Sequence, residues 1–178
     1  MAALRMKQAE MDSFQALHVR LFRTAGLSAR VVKNVDACQK THAAGLPAFA
    51  GADQMAGGNV RQLAHTPEAL KLYLDAFREA VRALRAVGIP LRLSATRLLQ
   101  WILEPILVFD LRRFCDSRLA VMGGMDRVVS GFADEMKELA DELRAILRQS
   151  GLPSPASDVL FAQVDAQFQA CKAGPHRD

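Results

Sequence analysis

Lys40 and His42 stand two residues apart in "NVDACQKTHAAGLPAFAGA", Asn34 to Ala52. An amine and an imidazole so close together raise the question of a catalytic site. The alternative is a solvated lysine on a structural helix. With Asn34 as the cap of a helix, Val35, Cys38, the Thr41/His42 pair, Gly45, Leu46 and Phe49 form its inward stripe. Lys40 falls at the border of that stripe and His42 nearer its centre. Gly45 allows another backbone to approach, and Pro47 frees carbonyls around Ala43. A lysine beside such a break can reach into a cleft, and a functional lysine needs one. A further carboxylate, Asp110, follows Phe109 in an apolar run. It is either a buried functional group or a helix edge facing solvent. Gln39, Asp53, Gln54 and Cys115 also interrupt apolar stretches and are candidates to line a pocket between helices.

Other chemistries find no support in the motifs. "AGGN" (Ala56 to Asn59) and "MGGM" (Met122 to Met125) lack the spacing and preceding strand of a phosphate-binding loop, and read as turns. GxSxG and HExxH do not occur, and His18, His65 and His176 are isolated. Cys38, Cys115 and Cys171 are far apart and odd in number, which points to free thiols in a reducing compartment rather than zinc or disulfides. "LFRTAGLSARVVKNV", Leu21 to Val35, has an Ala-Gly turn followed by basic residues, as in a helix-turn-helix. Its second helix, however, would run into the fresh cap at Asn34.

Helical periodicity supplies the frame for these residues. Leu70, Tyr73, Leu74, Phe77, Ala80, Val81, Leu84 and Val87 step by three and four, behind Thr66 as cap and Pro67 at the first helical position. Gly88 and Pro90 end this helix. A second stripe, Val129, Phe132, Met136, Leu139, Leu143, Ile146 and Leu147, predicts a helix from Asp126 to Gln149, stopped by Gly151 and Pro153. Its polar face, "DEMKELADELR", reads as solvated charge pairs. Weaker patterns predict helices over Met6 to Arg23, over Asn34 to Gln54 with a break at Pro47, on both sides of Glu104–Pro105, and from Ser157 to the tail. Only "LSARVVK" (Leu27 to Lys33) suggests an extended piece. The expected fold class is all-α, a single helical domain of six to eight helices. Residues 1–20 would form a helical extension, 21–172 the domain and 173–178 a flexible tail.

The bulk numbers agree with this frame. Hydrophobic residues make up 51% of the 178 and charged residues 24%, enough for a core and a solvated surface. The net charge of +4 is spread along the chain without a basic block interleaved with aromatics, so no nucleic-acid partner is expected. The most apolar run, "LLQWILEPILVF", is broken by Glu104 and Pro105 and too short for a bilayer. The expected compartment is the cytoplasm.

"LFRTAGLSARVVKNVDACQKTHAAGLPAFAGA" resembles the start of the C-terminal helical domain of ketopantoate reductase-like oxidoreductases (2-dehydropantoate 2-reductases). In one branch a "FRxAG" element is followed by Asp-Ala-Trp-Leu-Lys-Thr-His-Ala-Ala. Asp36, Ala37, Lys40, Thr41, His42, Ala43 and Ala44 match that run, with Cys38 and Gln39 in place of Trp and Leu. "AGGNVRQLAHTPEALKLYLDAFREAVRALRAVGIPL" is similar to the family's central helix, and "DEMKELADELRAILRQSGLPSPASDVLF" to its closing helices. The likeness spans Leu21 to Val164.

The resemblance implies a helical domain of ketopantoate reductase and 6-phosphogluconate dehydrogenase type. In the full enzymes this domain covers the substrate beside a Rossmann domain that binds NADPH. It implies that Lys40 is the general acid for reduction of the keto group and that Ala44 is a substrate-side position, with His42 and Asp110 as further candidates on the substrate side. Where the family has an asparagine one turn after the lysine, this chain has Ala44. The residues before the match are too few for a βαβ unit, which takes about 30. The expectation is therefore a substrate-covering, self-associating domain with no cofactor in this chain and no redox activity alone. Its partner would be a second copy or a separate Rossmann domain. A small-molecule-binding or catalytic helical scaffold, natural or engineered, is the second reading, and a helical regulator of transcription the third.

Overall fold

A computed structural model of the chain describes residues 2–27, 31, 39–40, 43–89, 104–118, 120 and 132–173. Among the described residues there are seven helices and no strand, in keeping with the all-α expectation. They are α1 (Ala2–Thr24), α2 (Leu46–Met55), α3 (Val60–Ala64), α4 (Pro67–Ala86), α5 (Glu104–Cys115), α6 (Ala133–Ser150) and α7 (Pro155–Ala173). The chain divides into two compact units, Met1–Val35 and Asp36–Asp178. The first unit holds α1, which runs unbroken through residue 20 and exposes Phe14, Leu17, Leu21 and Phe22. The "LSARVVK" piece, the second half of the helix-turn-helix pattern, "MGGM" and the helix before Glu104 lie largely or wholly outside the described residues.

The second unit is built around α2. Its sequence, LPAFAGADQM, is apolar on almost every side, and such a helix belongs in a core. Every residue from Pro47 to Asp53 is buried. Small residues let its neighbours come close. A Cβ on Gly51 would sit 2.8 Å from the carbonyl carbon of Leu160 on α7 and would overlap that carbonyl's oxygen. α2 also packs against α4 and α6.

The helix expected over Asn34 to Gln54, with a break at Pro47, is interrupted shortly before that proline; its first residues, 34–38, lie outside the described residues. Gln39, Lys40 and Ala43 are helical, Ala44 and Gly45 turn, and α2 starts afresh at Leu46. Pro47 thus occupies the first turn of a helix, where its missing N–H costs nothing. Leu46, just before the proline, is already helical, so the break lies at Ala44–Gly45 and not at the residue next to Pro47.

On α4 the stripe turns inward, with Leu70, Leu74, Val81 and Leu84 buried. Thr66 occupies the N-cap position, yet its hydroxyl donates to the Gln62 carbonyl (2.9 Å) instead of capping α4. At the other end Gly88 adopts φ +78°. The Ile89 N–H donates to Leu84 O (2.9 Å) and the Gly88 N–H to Arg85 O (3.0 Å), a Schellman closure. α5 opens at Glu104, whose carboxylate meets Lys71 Nζ (3.2 Å) and Arg78 Nη1 (3.3 Å) of α4. These part-exposed pairs set the register of α5 on α4 more than they stabilise it, since each contributes about 0–1 kcal/mol.

α6 begins at Ala133, and the earlier part of its expected stripe, Asp126 to Ser130, lies outside the described residues. Met136, Ala140, Leu143 and Leu147 are buried, and Gly151 ends the helix with φ +66°. Arg144 joins α6 to α7 through a forked pair with Asp165 (2.6 and 3.3 Å), while its guanidinium lies 5.3 Å from the centre of the Phe161 ring. The start of α7 is held from a distance. The buried Glu79 carboxylate accepts from the Ala156 N–H (3.1 Å), the Ser157 N–H (2.8 Å) and the Ser157 hydroxyl (2.7 Å). A carboxylate from α4 therefore does for α7 what its own cap would otherwise do.

Candidate functional site

The break before α2 opens a small cleft. It lies between the turn that carries Lys40, Ala43 and Ala44 and the inward face of α6, with Leu84 of α4 between them. Leu139, Leu143 and Ile146 supply the α6 wall. Ala44, Leu84 and Leu143 are buried, whereas Lys40 and Glu142 are exposed and stand at the mouth. The volume is about 50 Å³. Whole-metabolite pockets run to roughly 300–1,000 Å³, so this cleft accepts only the apolar end of a ligand. The arrangement can hold a short alkyl group against leucine and isoleucine while charged side chains meet a polar head outside. The cation comes from a helical turn and the carboxylate from α6.

A second group of titratable side chains is sealed in the core. Asp53 of α2 and Cys115 of α5 are both buried, and Tyr73 of α4 is mostly so. The Tyr73 ring packs edge-on to Phe49 (5.5 Å between centroids) and stacks with Phe77 (6.3 Å). Burial pushes the Cys115 thiol up to about 11, with the negative charge of Asp53 adding to the rise. Burial likewise pushes the Tyr73 phenol up to about 12, with Cys115 contributing. A thiol in that state is a packing group and not a nucleophile.

Both acids are neutral when protonated, and the fold favours that form. As pH climbs from 9, near the ordinary thiol value, towards 12, the unfolded chain gives up these protons before the native one does. Stability is therefore complete below about pH 9 and falls between pH 9 and 12. Urea midpoints measured across that range should decline, and a flat profile would contradict the burial of the pair. Because the chain has one tyrosine, its ultraviolet titration reads Tyr73 directly. Site-resolved alkylation should modify the exposed Cys171 while leaving Cys115 intact until the protein unfolds.

The expected site residues are distributed unevenly. Lys40 and Ala44 line one cleft. His42 lies outside the described residues. Asp110 is exposed on α5, at the helix edge that faces solvent, and is not among the residues lining the cleft. Of the pocket candidates, Asp53 and Cys115 come together in the core, and Gln39 is exposed. Glu142 has no distinguishing mark of its own in the sequence, because "DEMKELADELR" reads as a solvated face. Its position between Leu139 and Leu143, at the edge of the apolar stripe, was the available signal. Among the described residues no group of three or more His, Cys, Asp or Glu side chains is placed to hold a metal ion, and no helix is long and apolar enough to cross a membrane. Comparison with protein-family models, with curated proteins and with solved structures finds no match to this chain.

Proposed function

We propose that this chain is a helical domain of ketopantoate reductase type that covers and orients a small branched 2-oxo acid. The reading is supported by one observation above others. Lys40 and Ala44, the positions where the resemblance places a general acid and a substrate contact, line the same cleft. The remaining wall comes from α6, within the stretch that resembles the family's closing helices. Lys40 supplies a cation for the ligand's oxygen atoms and a proton within reach of them. Ala44, in place of the family's asparagine, keeps the wall apolar, so the ligand is held there by burial and not by an amide. Exposed Ile106, Phe109 and Phe114 on α5 offer a surface for association with a second copy.

The described residues include no strand–glycine loop–helix unit of the kind that cradles a dinucleotide pyrophosphate. The domain's own contribution is binding, orientation and exclusion of water.

Calorimetric titration with 3-methyl-2-oxobutanoate tests the reading. The wild type should bind it, and Lys40→Met should bind about tenfold more weakly, the usual effect of losing one charged hydrogen bond. Lys40 is exposed, so the variant should remain folded, with a stability change within about 1 kcal/mol. Equal affinity in the two proteins, or no binding at millimolar ligand, would defeat the proposal.

A further inference from the structure

One side of α1 is apolar and open. Phe14, Leu17 and Leu21 step by three and four along it, with Phe22 at its edge, and each is between 50% and 60% exposed. No described side chain in residues 13–27 is buried. Large apolar side chains are ordinary on a surface when scattered singly, but four together on one helix side mark a contact surface. The helix is complete in itself. Gly26 takes φ +77° and the Leu27 N–H donates back to the Phe22 carbonyl (2.9 Å), the same closure that ends α4. His18, on the same side, lays its ring against that of Phe14 (4.0 Å between centroids), with Nδ1 2.8 Å from the Phe14 carbonyl oxygen.

Charge indicates what covers this side. Basic residues occur throughout the chain, but no acid stands between Asp12 and Asp36. Arg20, Arg23, Arg30 and Lys33 fall in that gap and carry the whole formal net charge of +4, since the other 19 basic residues match the 19 acidic ones. Two copies meeting through the stripe would bring two such positive stretches together, which Coulomb repulsion opposes. A nucleic acid would use the charge and leave the stripe in water. A helix with phenylalanine and leucine on one side and arginine off it suits the boundary of a membrane, where acyl chains take the first and phosphates the second. Arg20 and Arg23 lie off the stripe, but a helix is only about 10 Å thick, about one Debye length at 0.1 M salt, so they still feel a charged surface beneath it. The positive charges run on past the helix to Lys33, which suits an extended negative surface better than a groove one helix long. We infer that α1 binds the surface of an anionic lipid bilayer, lying in its plane with Phe14, Leu17, Leu21 and Phe22 at the acyl boundary and its basic residues in the headgroup layer. α1 and the cleft belong to different units, so the two readings stand independently.

Co-sedimentation of the full chain with phosphatidylcholine vesicles, with and without phosphatidylserine, is the test. Wild type should bind the anionic vesicles, bind the neutral ones much more weakly, and lose most of its binding when salt rises from about 0.1 M to about 1 M. The double variant Leu17→Gln with Leu21→Gln removes apolar area and keeps the charge. It should bind at least about tenfold more weakly. The double variant Arg20→Gln with Arg23→Gln keeps the stripe and should bind about 25-fold more weakly, roughly fivefold for each charge near the surface. All four residues are exposed and glutamine favours a helix, so circular dichroism should show both variants folded as the wild type is. Equal binding to neutral and anionic vesicles, no binding to either, or full binding by either variant would overturn the inference. So would a lipid-free dimer that the leucine variant breaks up, since a second copy would then cover the stripe.

Discussion

Gly51→Ala should destabilise the protein by about 3 kcal/mol, the upper end of the usual cost of overpacking. Helix propensity alone predicts the opposite sign, since alanine in place of glycine inside a helix normally adds about 1 kcal/mol. Packing decides the matter. The new methyl group would lie 2.8 Å from the Leu160 carbonyl carbon and 2.9 Å from its Cβ, and would overlap the carbonyl oxygen. Backbone, not a flexible side chain, is in the way. Relief requires α2 and α7 to separate, and both contribute fully buried side chains to the core. Urea denaturation of the two proteins measures the change. A variant as stable as the wild type, or more so, would mean that α2 and α7 are not this close.

Glu79→Ala should cost a similar amount, about 3 kcal/mol, for a different reason. The carboxylate is 5% exposed and accepts three hydrogen bonds at the start of α7. Its removal strands two buried N–H groups, each with a desolvation cost of about 1–3 kcal/mol unless water enters, and leaves the Ser157 hydroxyl only its longer bond to the Ala76 carbonyl (3.5 Å). It also takes a negative charge from the positive end of a helix dipole. Glu79→Gln keeps one acceptor but turns the other into a donor facing Ser157, so it should fall between, at about 2 kcal/mol. Ser157→Ala removes only the hydroxyl and should cost less than either. A Glu79→Ala protein within about 0.5 kcal/mol of the wild type would show that α7 does not depend on this clamp.

These two positions mark how far the sequence could be read. Local signals were legible because their causes are local. Pro67 opens α4, Gly88 and Gly151 close α4 and α6 through left-handed turns, and Glu104 opens α5. The stripe from Leu70 to Leu84 faces the core. Pro47 signalled a break, and the structure sets it two residues earlier, at Ala44–Gly45. Glu79 was not legible, because its partners lie 77 and 78 residues away and nothing local distinguishes it from the solvated acids of the chain. Asp53 could be suspected from its apolar neighbours, but its proximity to Cys115 depends on how α2 meets α5.

The cleft divides in the same way. Lys40 and Ala44 drew attention through their place in a matched run, while the α6 wall and Glu142 became visible only when the helices were brought together. A polar run such as "DEMKELADELR" gives no sign of which carboxylate borders a gap. Its spacing records the face that avoids water and says little about the residues at its edge.

The central claim is that a small ligand enters between the turn carrying Lys40 and the inward face of α6. Titration of isotope-labelled protein with 3-methyl-2-oxobutanoate, followed through its amide resonances, tests this most directly. The predicted result is a saturating set of shifts confined to Lys40, Ala43, Ala44, Leu139, Leu143 and Ile146 and their neighbours, much reduced in Lys40→Met. Shifts centred elsewhere, or none at millimolar ligand, would contradict it.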